Sequence, residues 1–169
     1  LSVLAGVVFN TNAQHCSTPS VNCNVKPATG VPGLTPTSDS LPCIVKGIAQ
    51  NQTISFESYV TYTLGGTAYT IDSIQTDTII LPTGLCWAMN KASNVIGSGK
   101  TGCINVTGTV NGAVPAGQYR LHIAVKAWAS SSGIQLLKGA YFNSEDLGLN
   151  YWVRVTCPGG ACPAVDTVA

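Results

Sequence analysis

Residues 118–128, QYRLHIAVKAW, alternate between two kinds of side chain without a break. Tyr119, Leu121, Ile123, Val125 and Ala127 fall on one parity; Arg120, His122, Lys126 and Trp128 fall on the other. Successive side chains of a strand point to opposite faces, whereas a helix repeats every 3.6 residues, so the run fits a strand with one buried face. LNYWVRVTC at 149–157 repeats the pattern, with Leu149, Tyr151, Val153 and Val155 inward. TISFESYVTYT at 53–63 places Ile54, Phe56, Val60 and Tyr62 on one face. AYTIDSIQTDTIIL at 68–81 is long enough to bend or break in two. CIVKGIA, GLCWAMN, GCINVTGTV and the weaker IQLLKGAYF complete seven to eight short strands separated by Gly and Pro turns. That series predicts an all-β chain, a two-sheet antiparallel sandwich.

Composition narrows the class further. Charged residues make up 9% of the chain, against about 25% in ordinary globular proteins. Eight basic residues balance seven acidic ones without a basic run, so nucleic acid is not an expected partner. The apolar run Val3–Phe9 is too short to span a bilayer, and no membrane span is expected. Cysteines at 16, 23, 43, 86, 103, 157 and 162 point to an oxidising compartment. LSVLAGVVFNTNAQ, residues 1–14, reads as the tail of a secretory signal peptide; the sole methionine is Met89, as in a fragment or processed form. Gln14 and His15 stand where a lipoprotein would need small residues. Residues 15–42 are an extended Pro- and Cys-rich lead-in, 43–157 the sandwich, and 158–169 a linker to a further C-terminal region.

One stretch suggests chemistry. NVIGSGKTGC at 94–103 ends like a phosphate-binding loop, but Asn94 stands where the first glycine belongs, and strand-like residues follow where a helix is required. Lys100 then reads as a solvated loop charge. His15 and His122 are the two histidines; His15 sits at the expected cleavage point and His122 on the polar parity of its strand. GSG at 97–99 has the wrong spacing for a nucleophile elbow. Glu145-Asp146, the close acidic pair, reads as a turn rather than two carboxylates across a cleft. The cysteine spacings do not match zinc sites, and Asp72, Asp77 and Glu57 lie outside any calcium-loop pattern. No catalytic residue, metal ligand or cofactor is assigned.

Cys86 and Cys103 sit at the inner ends of two neighbouring strands, where a bridge would fasten the intervening hairpin loop; Cys157 with Cys162 is the second expected pair. The N-terminal connectivity stays open, and an odd count leaves one thiol free or paired elsewhere. Trp128 and Trp152 fall on the parity opposite the core, as a sugar-stacking platform or as packing beneath a loop.

Residues 81–128 also resemble the immunoglobulin-like modules of bacterial surface proteins. The matching motifs are Leu81-Pro82-Thr83-Gly84-Leu85, Gly102-Cys103-Ile104 through Gly108-Thr109, and Ala116-Gly117-Gln118-Tyr119. PGLTPTSDSLPC and the NAQ of the signal tail are similar to secreted Bacteroidetes proteins of the type IX secretion kind. The resemblance covers about half the chain, and the cysteine pair within the hairpin is not universal in the module. It implies an immunoglobulin-like β-sandwich in a secreted or outer-surface protein, with a structural or adhesive role beside other domains of the same chain, glycans or self-assembly partners. It also implies O-glycosylation at Asp-Ser/Thr-aliphatic triplets, here Ser40, Ser73, Thr78 and Thr167. Asn51 and Asn105 open N-x-Thr sequons, which matter in a eukaryotic pathway. The expected function is non-catalytic, with a carbohydrate-binding module as the alternative.

Overall fold

A computed structural model describes residues 15–16 and 30–164, apart from 92, 132 and 149. The signal-like residues 1–14, Cys23, Leu149 and Thr167 lie outside the described residues. Twelve strands follow one another: β1 (Gly33–Thr35), β2 (Ile44–Val45), β3 (Ala49–Glu57), β4 (Thr61–Leu64), β5 (Thr67–Ile80), β6 (Leu85–Met89), β7 (Val95–Gly97), β8 (Thr101–Thr109), β9 (Gly117–Arg120), β10 (His122–Ser131), β11 (Ile134–Asn143) and β12 (Trp152–Thr156). The described residues hold no α-helix, only a 3-10 turn at Ser38–Ser40. The chain is all-β, as its periodicity predicts.

Among the described residues three sheets result. The first orders β1-β3-β8-β6, all antiparallel. The second orders β11-β10-β5-β4, with β7 also on β5. The third is β2-β12-β9, in which β2 and β12 run parallel. β9 and β10 are one run that changes sheets at Leu121, whose N–H donates to the Tyr151 carbonyl at 2.8 Å. Such splits turn seven or eight sequence runs into twelve strands.

The two larger sheets pack around one core. Ile54, Phe56, Ile104, Val106, Leu85, Trp87 and Met89 come from the first; Ile71, Ile74, Ile79, Ile123, Val125 and Ala129 come from the second. Ile44, Val153 and Val155 add the third. Each of the Val, Leu, Ile, Phe and Met side chains contributes about 1.5–3 kcal/mol by leaving water. The alternation read at 118–128 holds from Leu121 onward, where Leu121, Ile123, Val125 and Ala127 are buried and His122 is exposed; on β9, Tyr119 and Arg120 are both half-buried. Tyr151, Val153 and Val155 are buried likewise. Val60 departs from its expected face and is 55% exposed. β3 stops at Glu57, and Ser58–Val60 cross to the second sheet, so the parity does not carry over. β5 bends rather than breaks, through register shifts against β10 between Ala124 and Val125 and between Trp128 and Ala129.

β6 and β8 are antiparallel neighbours, but their connection is not a plain hairpin. It crosses to the second sheet, where β7 pairs with Ser73–Gln75, and then returns. The Gly-Lys-Thr stretch is that return turn. Gly99 takes φ +58, the Lys100 N–H donates to Gly97 at 3.1 Å, and a strand follows instead of a helix.

The expected disulfide pairs are corrected by the ladder. Cys86 stands opposite Thr107, and Cys103 stands opposite Ser55 with its carbonyl on Asn90. The two cysteines are thus four residues apart along one ladder, about 13 Å, and a bridge tolerates about 7 Å between Cα atoms. Cys86 instead pairs with Cys16, Cα atoms 5.0 Å apart. Cys103 is also disulfide-bonded, though not to Cys86. Cys157 does not pair with Cys162; it is free and exposed. A turn closed by Gly160 N–H to the Cys157 carbonyl sends the chain back, and the Thr156 hydroxyl donates to the Ala161 carbonyl at 3.0 Å. Because β2 runs parallel to β12, with Ile44 opposite Val155, that return brings Cys162 to Cys43.

The sandwich extends past residue 43 on its N-terminal side. β1 joins β3, and Leu41 is buried in the core. The buried Tyr151 hydroxyl donates to the Pro36 carbonyl at 2.7 Å, the Trp152 N–H to Ser38 Oγ at 2.9 Å, and Arg154 Nη2 to the Leu41 carbonyl at 2.6 Å. Cys162 anchors the segment after β12.

Candidate functional site

The outer face of the second sheet gathers the first cluster. Register places Lys126 of β10 opposite Tyr141 of β11, and Trp128 opposite Lys138 on one side and Ser73 on the other. Lys126 Nζ lies 2.7 Å from Asp77 Oδ1 and 4.8 Å from the Tyr141 ring centroid. The Tyr141 hydroxyl donates to Asp77 Oδ2 at 3.4 Å, so its ring reaches across β10 toward β5 while staying 61% exposed. The Asp77 hydrogen bond, followed by that to Tyr141, holds the Lys126 ammonium above its usual range. Trp128 is half-buried, leaning over Gly139, where an added Cβ would lie 3.3 Å from the ring.

Trp152 does not join this platform. It lies opposite Arg120 on β9, with the guanidinium 5.9 Å from its ring centroid. Arg120 and Trp128 are eight residues apart on the β9–β10 run, about 26 Å. The two tryptophans share a parity but occupy different sheets.

The second cluster surrounds Glu145, in the turn after β11. His122 Nδ1 is 2.6 Å from Glu145 Oε1, and Arg120 Nε is 3.5 Å from the same oxygen. Arg120 also donates to Asn150. The buried Ser144 hydroxyl donates to Glu145 Oε2 at 3.2 Å. Burial acts to raise the Glu145 pKa, but its own backbone N–H, the charge of His122 and the Ser144 hydroxyl outweigh that and hold it below 4.5. Ser144 is thus engaged by the carboxylate, not by the imidazole, so the three groups do not form a nucleophile–base relay. An open groove of about 390 Å³ adjoins His122 and Arg120, walled by Ile80, Leu81, Pro82 and Pro115.

Between the larger sheets a cavity of about 20 Å³ lies among Phe56, Ile74, Ile104 and Val125, room for about one water. Among the described residues no three His, Cys, Asp or Glu side chains come together as a metal site. No helix there is long and apolar enough to cross a membrane.

The triplet serines and threonines separate by position. Ser40 is exposed on the 3-10 turn, its hydroxyl 3.1 Å from Thr37 Oγ1. Ser73 and Thr78 are half-buried on β5, an interior strand of its sheet. Sequence reasoning missed Tyr141 and the role of Asp77, because each matters through register across three strands. The signal it offered was the position of Tyr141 in the weakly patterned run 134–142. Comparison with known proteins finds no matching family model, curated sequence or solved structure.

Proposed function

We propose that this chain is a non-catalytic, immunoglobulin-like structural module of a secreted or surface-attached bacterial protein, of the Bacteroidetes type IX secretion kind. Its work is to space or attach parts of a larger assembly. The observation that carries the reading is the pair of long-range crosslinks. Cys16–Cys86 and Cys43–Cys162 span 70 and 119 residues and tie the segments flanking the sandwich to its body. Crosslinks of that span suit an oxidising compartment. A sparse charge content adds support, since it leaves few acid–base groups for catalysis.

The test is surface labelling of the producing bacterium with an antibody to the module, on intact and on permeabilised cells, alongside a non-reducing peptide map. Labelling of intact cells together with both crosslinks is the expected result. Signal confined to permeabilised cells, with reduced cysteines, would sink the reading.

A further inference from the structure

The outer face of β5, β10 and β11 carries two aromatic rings beside an ion pair. Tyr141 lies across Lys126 toward Asp77, held at its hydroxyl. One row along, Trp128 leans the other way, onto the backbone of Gly139. The two rows sit about 7 Å apart on one face. Gly139 takes φ +70 and is skipped by the ladder between Ala140 and Lys138, so the strand kinks where the ring needs room. Leu136 is skipped in the same way between Leu137 and Gln135. Two irregularities on an edge strand discourage the addition of a further strand, which leaves the face, not the edge, as the contacting surface.

We propose that this face binds a neutral oligosaccharide, with Trp128 and Tyr141 stacking on sugar rings and Asp77 and Lys126 meeting hydroxyls. The chemistry selects this class. Aromatic faces attract the C–H faces of sugars, while a carboxylate and an ammonium beside them supply an acceptor and a donor for hydroxyl groups. Asp77 neutralises Lys126 and leaves Lys138 opposite Trp128 as the remaining charge of the face, short of the cationic surface that a nucleic acid requires. Apolar side chains of a peptide would bury that ion pair without offering it hydrogen bonds. The proposal is independent of whether the module is surface-attached.

Calorimetry and tryptophan fluorescence with hexasaccharides of glucose, xylose, mannose and N-acetylglucosamine, each at millimolar concentration, test it. At least one is expected to bind. Trp128→Ala and Tyr141→Ala should each weaken it tenfold or more, and Tyr141→Phe should weaken it less. Trp152→Ala, far from the face, should leave affinity unchanged. Variants with unchanged circular dichroism are compared, so loss of fold is not mistaken for loss of binding. Absence of binding to all four sugars overturns the proposal, as does binding that survives Trp128→Ala combined with Tyr141→Ala.

Discussion

Gly84 and Gly108 meet backbone to backbone beside the β6–β8 ladder. A Cβ on Gly108 would fall on the Gly84 carbonyl, and one on Gly84 would fall on the carbonyl of Thr109. Both hold positive φ, +98 and +126, a region that favours glycine. Gly84→Ala or Gly108→Ala should therefore cost about 2 kcal/mol or more, lowering Tm by roughly 5 °C or more. Gly112→Ala, with nothing within 4 Å, should stay within about 0.5 kcal/mol. Thermal melts of the three variants check this.

The crosslinks predict a specific map. Non-reducing digestion should yield Cys16 joined to Cys86 and Cys43 joined to Cys162, with Cys157 alkylated. In the chain-entropy model, bridges closing 70 and 119 residues each stabilise by about 4–5 kcal/mol. Cys43→Ser should lower Tm by roughly 10 °C, and Cys157→Ser should leave it unmoved. A Cys157–Cys162 peptide would contradict the path of the chain after β12.

Lys100 tests the phosphate-loop resemblance. Its side chain is exposed, and its backbone makes the turn contacts, donating to Gly97 and accepting from Ser58 at 3.0 Å. Lys100→Ala should leave Tm within about a degree of the parent, and neither protein should retain ATP in equilibrium dialysis.

Acid should loosen the turn after β11. The carboxyl of Glu145 titrates below its ordinary 4.5 in the folded chain. Its stabilising contribution is present above the unfolded value and lost as pH falls through the folded one. Melts between pH 6 and pH 3 should show a smaller acid-side fall for Glu145→Gln than for the parent. Equal slopes would mean that the His122 and Ser144 contacts contribute nothing in solution.

Tyr151 offers a probe of the lead-in. Burial pushes its phenol well up, and the hydroxyl reaches Pro36. Tyr151→Phe leaves that carbonyl without its donor, which should cost about 1–3 kcal/mol in urea unfolding.

Strand character was legible wherever a run lay on a single sheet with one buried face, as at Ile123 and Val125 or Val153 and Val155. It failed at Val60, because a crossing between sheets leaves no trace in side-chain parity. Gly84 and Gly108, both singled out in the sequence, are where two backbones touch. Cysteine pairing was not legible. Cys86 and Cys103 look adjacent until the four-residue offset of their ladder is known, and Cys43 meets Cys162 through a parallel pairing of β2 with β12 that sequence proximity does not suggest. The Asp77–Lys126–Tyr141 cluster depends likewise on three strands in register, one of them bent twice.

The two crosslinks overlap along the chain, since Cys43 lies inside the loop closed by Cys16 and Cys86 while Cys162 lies beyond it. Pulled between residues 16 and 162, even a wholly unfolded chain is held by its shortest covalent route, through about 27 residues to Cys43 and across the bridge. That tether cannot exceed roughly 95 Å, against roughly 500 Å once the bridges are reduced. Under load, the oxidised module is therefore a short leash whose reach is set by sulfur, not by folding stability.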